Sequence, residues 1–299
     1  MSTSALRTVR LLAAGLTGTA LALGVTLSGV APASAGPLPC PVSDQRSAVD
    51  RLPKQGAVVP FFDPVDRTTY YFMRGVDEAK NPYEVVVDGL VDTDPVVGMW
   101  ENSTDCAGGD LTRNAWAVTP RGAVYADGDI YGGATARYYG GANTLPLQRA
   151  IVGMSATGTG DGYWLVAGDG GIFTFGDARF LGSTGNIRLN RPVVGMSTTP
   201  SGLGYWMVAS DGGIFAFGDA AFRGSTGNIA LNRPVIGMVA TPSGDGYWLI
   251  ASDGGVFTFG DAAFRGSLVS RGVTSPAVGL VPAGDGYVVF TADGRTYAF

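Results

Sequence analysis

Three stretches of this chain nearly repeat one another. GYWLVAGDGGIFTFGDARFLGSTGNIRLNRPVVGM begins at Gly162, GYWMVASDGGIFAFGDAAFRGSTGNIALNRPVIGM at Gly204, and GYWLIASDGGVFTFGDAAFRGS at Gly246. Trp164, Trp206 and Trp248 therefore stand 42 residues apart, as do Gly153, Gly195 and Gly237 in the preceding V-G-M segments. A fixed period of this length means that one supersecondary unit is copied and that stacked neighbours share a core no single copy could close.

The copies decay toward both ends. AVGLVPAGDGYVVFTADGRTYAF forms a last unit, with Asp293 lying 40 residues after Asp253. A degenerate unit begins with PVVGM at Pro95, and its AWAVTPRGAVYADGD aligns with YWLVAGDGGIFTFGD from Tyr163. Trp116 then matches Trp164, and Asp129 matches Asp177, each at a spacing of 48. Arg121 replaces the hairpin Asp there, and about seven extra residues around Glu101 to Leu111 separate the first two strands. The chain divides into residues 1–35, an N-terminal segment 36–91, and a repeat array 92–299 with units near 92–145, 146–191, 192–233, 234–274 and 275–299. Within 36–91, the runs GAVVPFF, TTYYFMR and YEVVVDG read as either a further diverged unit or closing strands.

Each unit reads as three or four short strands. Asp211-Gly212-Gly213 and its equivalents form hairpins, because Asp and Gly accept the positive φ angles of tight turns. Tyr205-Trp206-Met207-Val208 has no polar alternation, so the strand expects packing on both faces. Four-stranded blades stacked around an axis provide that packing, and about 42 residues is the length of one such blade. The expected fold is all-β: a β-propeller of four-stranded blades, six in preference to five, with a linear β-solenoid as the alternative. The last unit stops at the position matching Phe217, so a strand from Gln55 to Leu90 is expected to complete its blade and close the ring.

Arg7 and Arg10, the apolar run Leu11 to Val30 and Ala33-Ser34-Ala35 form a signal peptide with its cleavage site, making Gly36 the first mature residue. The same run could also serve as a membrane anchor. Export implies a secreted or cell-wall-associated protein, and Cys40 and Cys106 in that compartment imply a disulfide. Cleavage removes two arginines and no acids, leaving 18 Lys+Arg against 25 Asp+Glu, or −7. That charge speaks against a nucleic-acid partner. No second run in the mature chain is apolar enough to span a membrane, and a monomer is expected.

The sequence contains no histidine, which excludes Ser-His-Asp and Cys-His catalysis and removes a common metal ligand. Neither a G-x-S-x-G elbow nor a phosphate loop is present, so no cofactor or metal is expected. Asp177, Asp219 and Asp261 recur after the F-x-F-G run, and Asp169, Asp211 and Asp253 recur in the hairpin. Repeated residues occupy like environments, whereas a glycosidase pair needs unlike ones. Turn capping is the expected role of these carboxylates. The three tryptophans sit within apolar runs, so core packing is expected of them. Residues that break the symmetry are the candidate binding residues: Trp100 and Glu101 at the first insertion, and Tyr138 and Tyr139, read as a second insertion in which the spacing to the next V-G-M lengthens by six.

The pattern GYWLVASDGGIFxFGDAxFxGSTGxI, carried from Gly162, Gly204 and Gly246, resembles a repeat of secreted actinobacterial proteins. The resemblance spans residues 146–299 strongly and 92–145 weakly. It implies an exported bacterial β-propeller repeat protein and does not imply an activity. Together these readings lead to a non-catalytic binding or scaffold module presenting a rim to protein or extracellular glycan. The alternative is a carbohydrate-active hydrolase or lyase with its site on the irregular unit 92–145.

Overall fold

The structure, a computed structural model, describes residues 54–55, 57–63, 68–76, 82–86, 96–105, 111–128 and 137–299; for residues 54–86, 98–115 and 127–128 it describes the backbone only. Residues 1–35, where a signal peptide is expected, lie outside the described residues, as do Cys40, Cys106 and Asp129. All regular structure described is β, apart from one 3-10 turn at Val269–Arg271, and among the described residues no helix is long and apolar enough to cross a membrane.

Four tandem sheets share one antiparallel design. Strands β8 (Ile151–Ala156), β9 (Gly162–Ala167) and β10 (Ile172–Gly176) form the first. β11 (Val193–Thr198), β12 (Gly204–Ala209) and β13 (Ile214–Gly218) form the second. β14 (Val235–Ala240), β15 (Gly246–Ala251) and β16 (Val256–Gly260) make the third, and β17 (Ala277–Ala283), β18 (Gly286–Thr291) and β19 (Thr296–Ala298) the fourth. Toward the N-terminus, β2 (Ala57–Asp63), β3 (Thr68–Val76) and β4 (Pro82–Val86) form a sheet from the three strand-like runs. β5 (Gly98–Asp105), β6 (Leu111–Val118) and β7 (Val124–Gly128) form another, joined at β5 by β1 (Lys54–Gln55).

The middle strands are buried along their whole length, as their unbroken apolar sequence requires. The first strands lie side by side in the order β5, β8, β11, β14, β17. Each tandem sheet has a register shift at its V-G step, as between Val193 and Gly195, where one residue bulges out. The hairpins form as the sequence predicts: Gly212 adopts φ 76°, and the amides of Gly171, Gly213 and Gly255 donate to Asp169, Asp211 and Asp253.

The core lies between sheets. Each interface joins a Trp of one unit to a Tyr of the next, in the pairs Trp116–Tyr163, Trp164–Tyr205, Trp206–Tyr247 and Trp248–Tyr287. All four tryptophans are buried, so the core role expected of Trp164, Trp206 and Trp248 holds.

Two fold expectations need correction. The tandem sheets have three strands, not four, because the GDAAFRGS stretch is stapled across the joint to the next unit. Trp206 Nε1 donates to Ala221 O at 2.8 Å, Arg223 N donates to the Tyr247 hydroxyl at 3.0 Å, and that hydroxyl donates to Gly224 O at 2.6 Å. Side chains thus take the backbone groups that a fourth strand would use. Gly224 sits at φ 133°, and a Cβ there would collide with the Phe259 ring of the next unit. The last sheet, for the same reason, lacks no strand that its neighbours possess. The N-terminal segment adds a separate sheet and the edge strand β1, and among the described strands none pairs with β19 besides β18.

Candidate functional site

The crossing segments between units carry the most distinctive surface. Phe180, Phe222 and Phe264 each project from one and are 61%, 61% and 59% exposed, although an apolar repeat residue would be assigned to the core. Tyr138 is 60% exposed and stands 42 residues before Phe180. The same segments expose Leu145, Ile187 and Ile229 seven residues later. The first three joints therefore each offer an aromatic and an aliphatic side chain to solvent, whereas Arg271 takes the aliphatic position at the last.

Next to each aromatic is a residue that bridges to the following unit, and its chemistry changes from joint to joint. Tyr139 donates its hydroxyl to Asp161 at 2.8 Å, while Arg265 pairs with Asp285 at 2.9 Å. Arg223 pairs with Asp245. Leu181 and Leu203 occupy the corresponding positions at the remaining joint, where a Cβ on Gly218 would meet both Leu181 Cδ1 and the Leu203 carbonyl.

Tyr138 and Tyr139 are thus not part of an insertion. Trp116 Nε1 donates to Arg137 O at 3.0 Å, just as Trp164 Nε1 donates to Arg179 O at 2.8 Å. Tyr139 N donates to the Tyr163 hydroxyl as Leu181 N donates to that of Tyr205, and Gly140 repeats the left-handed φ of Gly182. The extra residues precede Arg137. The clue in the sequence was the spacing of 42 between Tyr138 and Phe180, which compositional difference obscured. Burial raises the Tyr139 phenol above its ordinary pKa, reinforced by its hydrogen bond to Asp161. Burial also pushes Tyr163 up to about 12.

Trp100 and Glu101 lie within β5, opposite Trp116 and Ala115 on one side and Gln55 and Lys54 on the other. They are strand residues, and the extra residues beyond them lengthen the β5–β6 hairpin. The structure does not bring them together with Tyr138 and Tyr139 into one described site.

The recurrent carboxylates bind neighbouring hydroxyls. Asp219 accepts from Thr199 at 2.9 Å and from Ser201, and Asp177 and Asp261 are held likewise by Thr157 with Thr159 and by Thr241 with Ser243. These three brace the first hairpin rather than capping a turn amide, the role that the hairpin Asp residues fulfil. No group of three or more potential metal ligands occurs among the described residues.

No protein-family model matches the chain, and no curated protein matches it.

Proposed function

We propose that the protein is an exported, non-enzymatic binding or scaffold module built as a six-bladed propeller, which offers an equivalent contact surface at successive joints. The observation that carries this reading is the periodic exposure of Tyr138, Phe180, Phe222 and Phe264. Aromatic side chains are costly to leave in water and, when repeated on one surface, favour a ligand that contacts several of them. The ring is supported by the order of first strands, since β2 approaches both β17 and β5 and would close the series. Export rests on the basic and apolar N-terminus followed by Ala33-Ser34-Ala35. The alternative, a carbohydrate-active enzyme with its site on the irregular unit 92–145, gains no support from Tyr138 and Tyr139, which occupy regular positions of the repeat.

The test is retention of the mature chain, residues 36–299, on arrayed glycans and immobilised polypeptides. Micromolar retention is expected, with loss in the combined Phe180→Ser, Phe222→Ser and Phe264→Ser variant whose circular dichroism is unchanged. Retention equal to wild type in that variant would overturn the proposal, as would no retention of the wild-type chain.

A further inference from the structure

The outer strands of the tandem sheets present a backbone edge that nothing in the described chain covers. The alternation of the ladder fixes which groups face outward. Ala209 N donates to Gly213 O, and Asp219 N to Leu203 O, so Phe215 and Phe217 bond inward to β12 while Ile214, Ala216 and Gly218 point their N–H and C=O groups away from the sheet. The same parity leaves Ile172, Thr174 and Gly176 outward on β10, and Val256, Thr258 and Gly260 outward on β16. Among the described residues, no hydrogen bond reaches the outward groups of Thr174, Ala216 or Thr258.

The last sheet shows what a donor does at this edge. There Thr296 and Ala298 face outward, and Arg271 Nη2 donates to Ala298 O at 2.7 Å while its guanidinium lies 3.9 Å above the Phe299 ring. Arg271 holds the repeat position of the exposed Ile187 and Ile229. The edge closed by a guanidinium in the last unit is therefore open where an aliphatic side chain replaces it.

Natural sheets commonly protect such edges with charge or proline. IFTFG, IFAFG and VFTFG contain neither. A line of N–H and C=O groups pointing one way is complementary to another extended backbone. Each edge is bordered by the crossing segment of the preceding unit. At β13, Leu181 reaches the Gly218 end, with exposed Phe180 as its chain neighbour. The exposed carboxylates Asp177, Asp219 and Asp261 follow directly at that end and favour a basic residue on an incoming strand.

We propose that the outer edges of β10, β13 and β16 are docking sites for an extended polypeptide strand, uncharged along its length and basic at one end, which joins each sheet as a fourth strand. This deepens the binding-module reading and rests on it. The bordering aromatic and aliphatic side chains of the joint cover one face of the incoming strand.

The test uses the mature chain and a short synthetic peptide of alternating threonine and valine ending in lysine, with binding followed by isothermal titration. Thr174→Pro, Ala216→Pro and Thr258→Pro each remove an outward N–H while sparing the inward ladder. Each is expected to lower the number of bound peptides by one, and Arg271→Ala to raise it by one by freeing the Ala298 edge. A peptide N-methylated at one pairing amide should bind about tenfold more weakly to the wild-type chain, an outcome that decides the matter even if a proline variant does not fold. Unchanged stoichiometry in folded proline variants, or equal affinity for the methylated peptide, overturns strand addition. A chain that retains a glycan through Phe180, Phe222 and Phe264 but ignores the peptide keeps the binding-module reading and loses this one, and a chain that retains neither loses both.

Discussion

The unit built around Trp116 and the unit built around Trp206 differ in most of their sequence but share their internal supports. Both tryptophans are buried, both donate Nε1 to a carbonyl of the crossing segment, and both pack against a tyrosine of the next unit. The insertion before Arg137 lengthens the route from tryptophan to acceptor and leaves the contact intact. What differs is the second hairpin. In the regular unit Asp211 bonds the Gly213 amide below Ala209, whereas the irregular unit has Arg121 and Thr119 at the corresponding positions. Thr119 Oγ1 is buried there without a hydrogen-bond partner among the described residues. The last unit clarifies the contrast, because Thr291 at the same position donates its hydroxyl to Asp293 at 2.5 Å. A threonine suits this site when the hairpin Asp is present, and loses its partner when Arg replaces that residue. Added length outside the buried contacts thus leaves the Trp116 bond in place, whereas one changed hairpin residue accompanies a buried hydroxyl with no partner among the described residues.

If the two units share one frame, Trp116→Ala and Trp206→Ala should be comparably damaging. Each is expected to cost about 4 kcal/mol, from lost burial and an abandoned carbonyl, as measured by the shift in denaturant midpoint. A loss at Trp116 well under half of that at Trp206 would break the equivalence.

The tyrosine hydroxyls sharpen the comparison through pH. Tyr163 is pushed up to about 12 by burial, and Tyr205, Tyr247 and Tyr287 are raised for the same reason. A phenol whose pKa is higher in the folded chain than in the unfolded one stabilises the fold fully below the unfolded value near 10. That contribution is lost as the pH rises toward about 12. Thermal melts should fall across that window together with the growth of tyrosinate absorbance. Tyr163→Phe should flatten the fall and cost about 1–3 kcal/mol at neutral pH, since it leaves Gly140 O and Tyr139 N without their partner. A pH slope identical in wild type and variant would separate these tyrosines from alkaline stability.

The smallest expected effect lies at the point of greatest difference. Thr119→Val removes the unpartnered hydroxyl at nearly constant volume and should stabilise the chain by about 1 kcal/mol, with a matching rise in melting temperature. A loss of stability would mean that the hydroxyl has a partner and that the two hairpins are more alike than their residues.

Much of the frame was legible in the sequence for a local reason. The hairpins could be read from Asp-Gly-Gly because the turn needs those residues, and the buried middle strands from GYWLVA because such a run cannot face water. The candidate site was less legible. Phe175 and Phe180 are both apolar residues of one repeat, yet Phe175 packs against the core cluster and Phe180 points to solvent. Hydrophobicity cannot separate them, because the distinction depends on which face of the crossing segment meets the neighbouring unit. Tyr138 and Tyr139 were misplaced for a related reason: the segment is recognised by backbone bonds from Trp116 and Tyr163, contacts that do not constrain its own side chains.

The sequence by itself determined the unit, its period, its β character and its hairpins, because each depends on residues close together in the chain. Only the tertiary structure decided that each tandem sheet stops at three strands. That outcome depends on a competition for the backbone of the crossing segment, won by a tryptophan of its own unit and a tyrosine of the next. Both partners are plain in the sequence, but their reach across the joint exists only once two units are stacked.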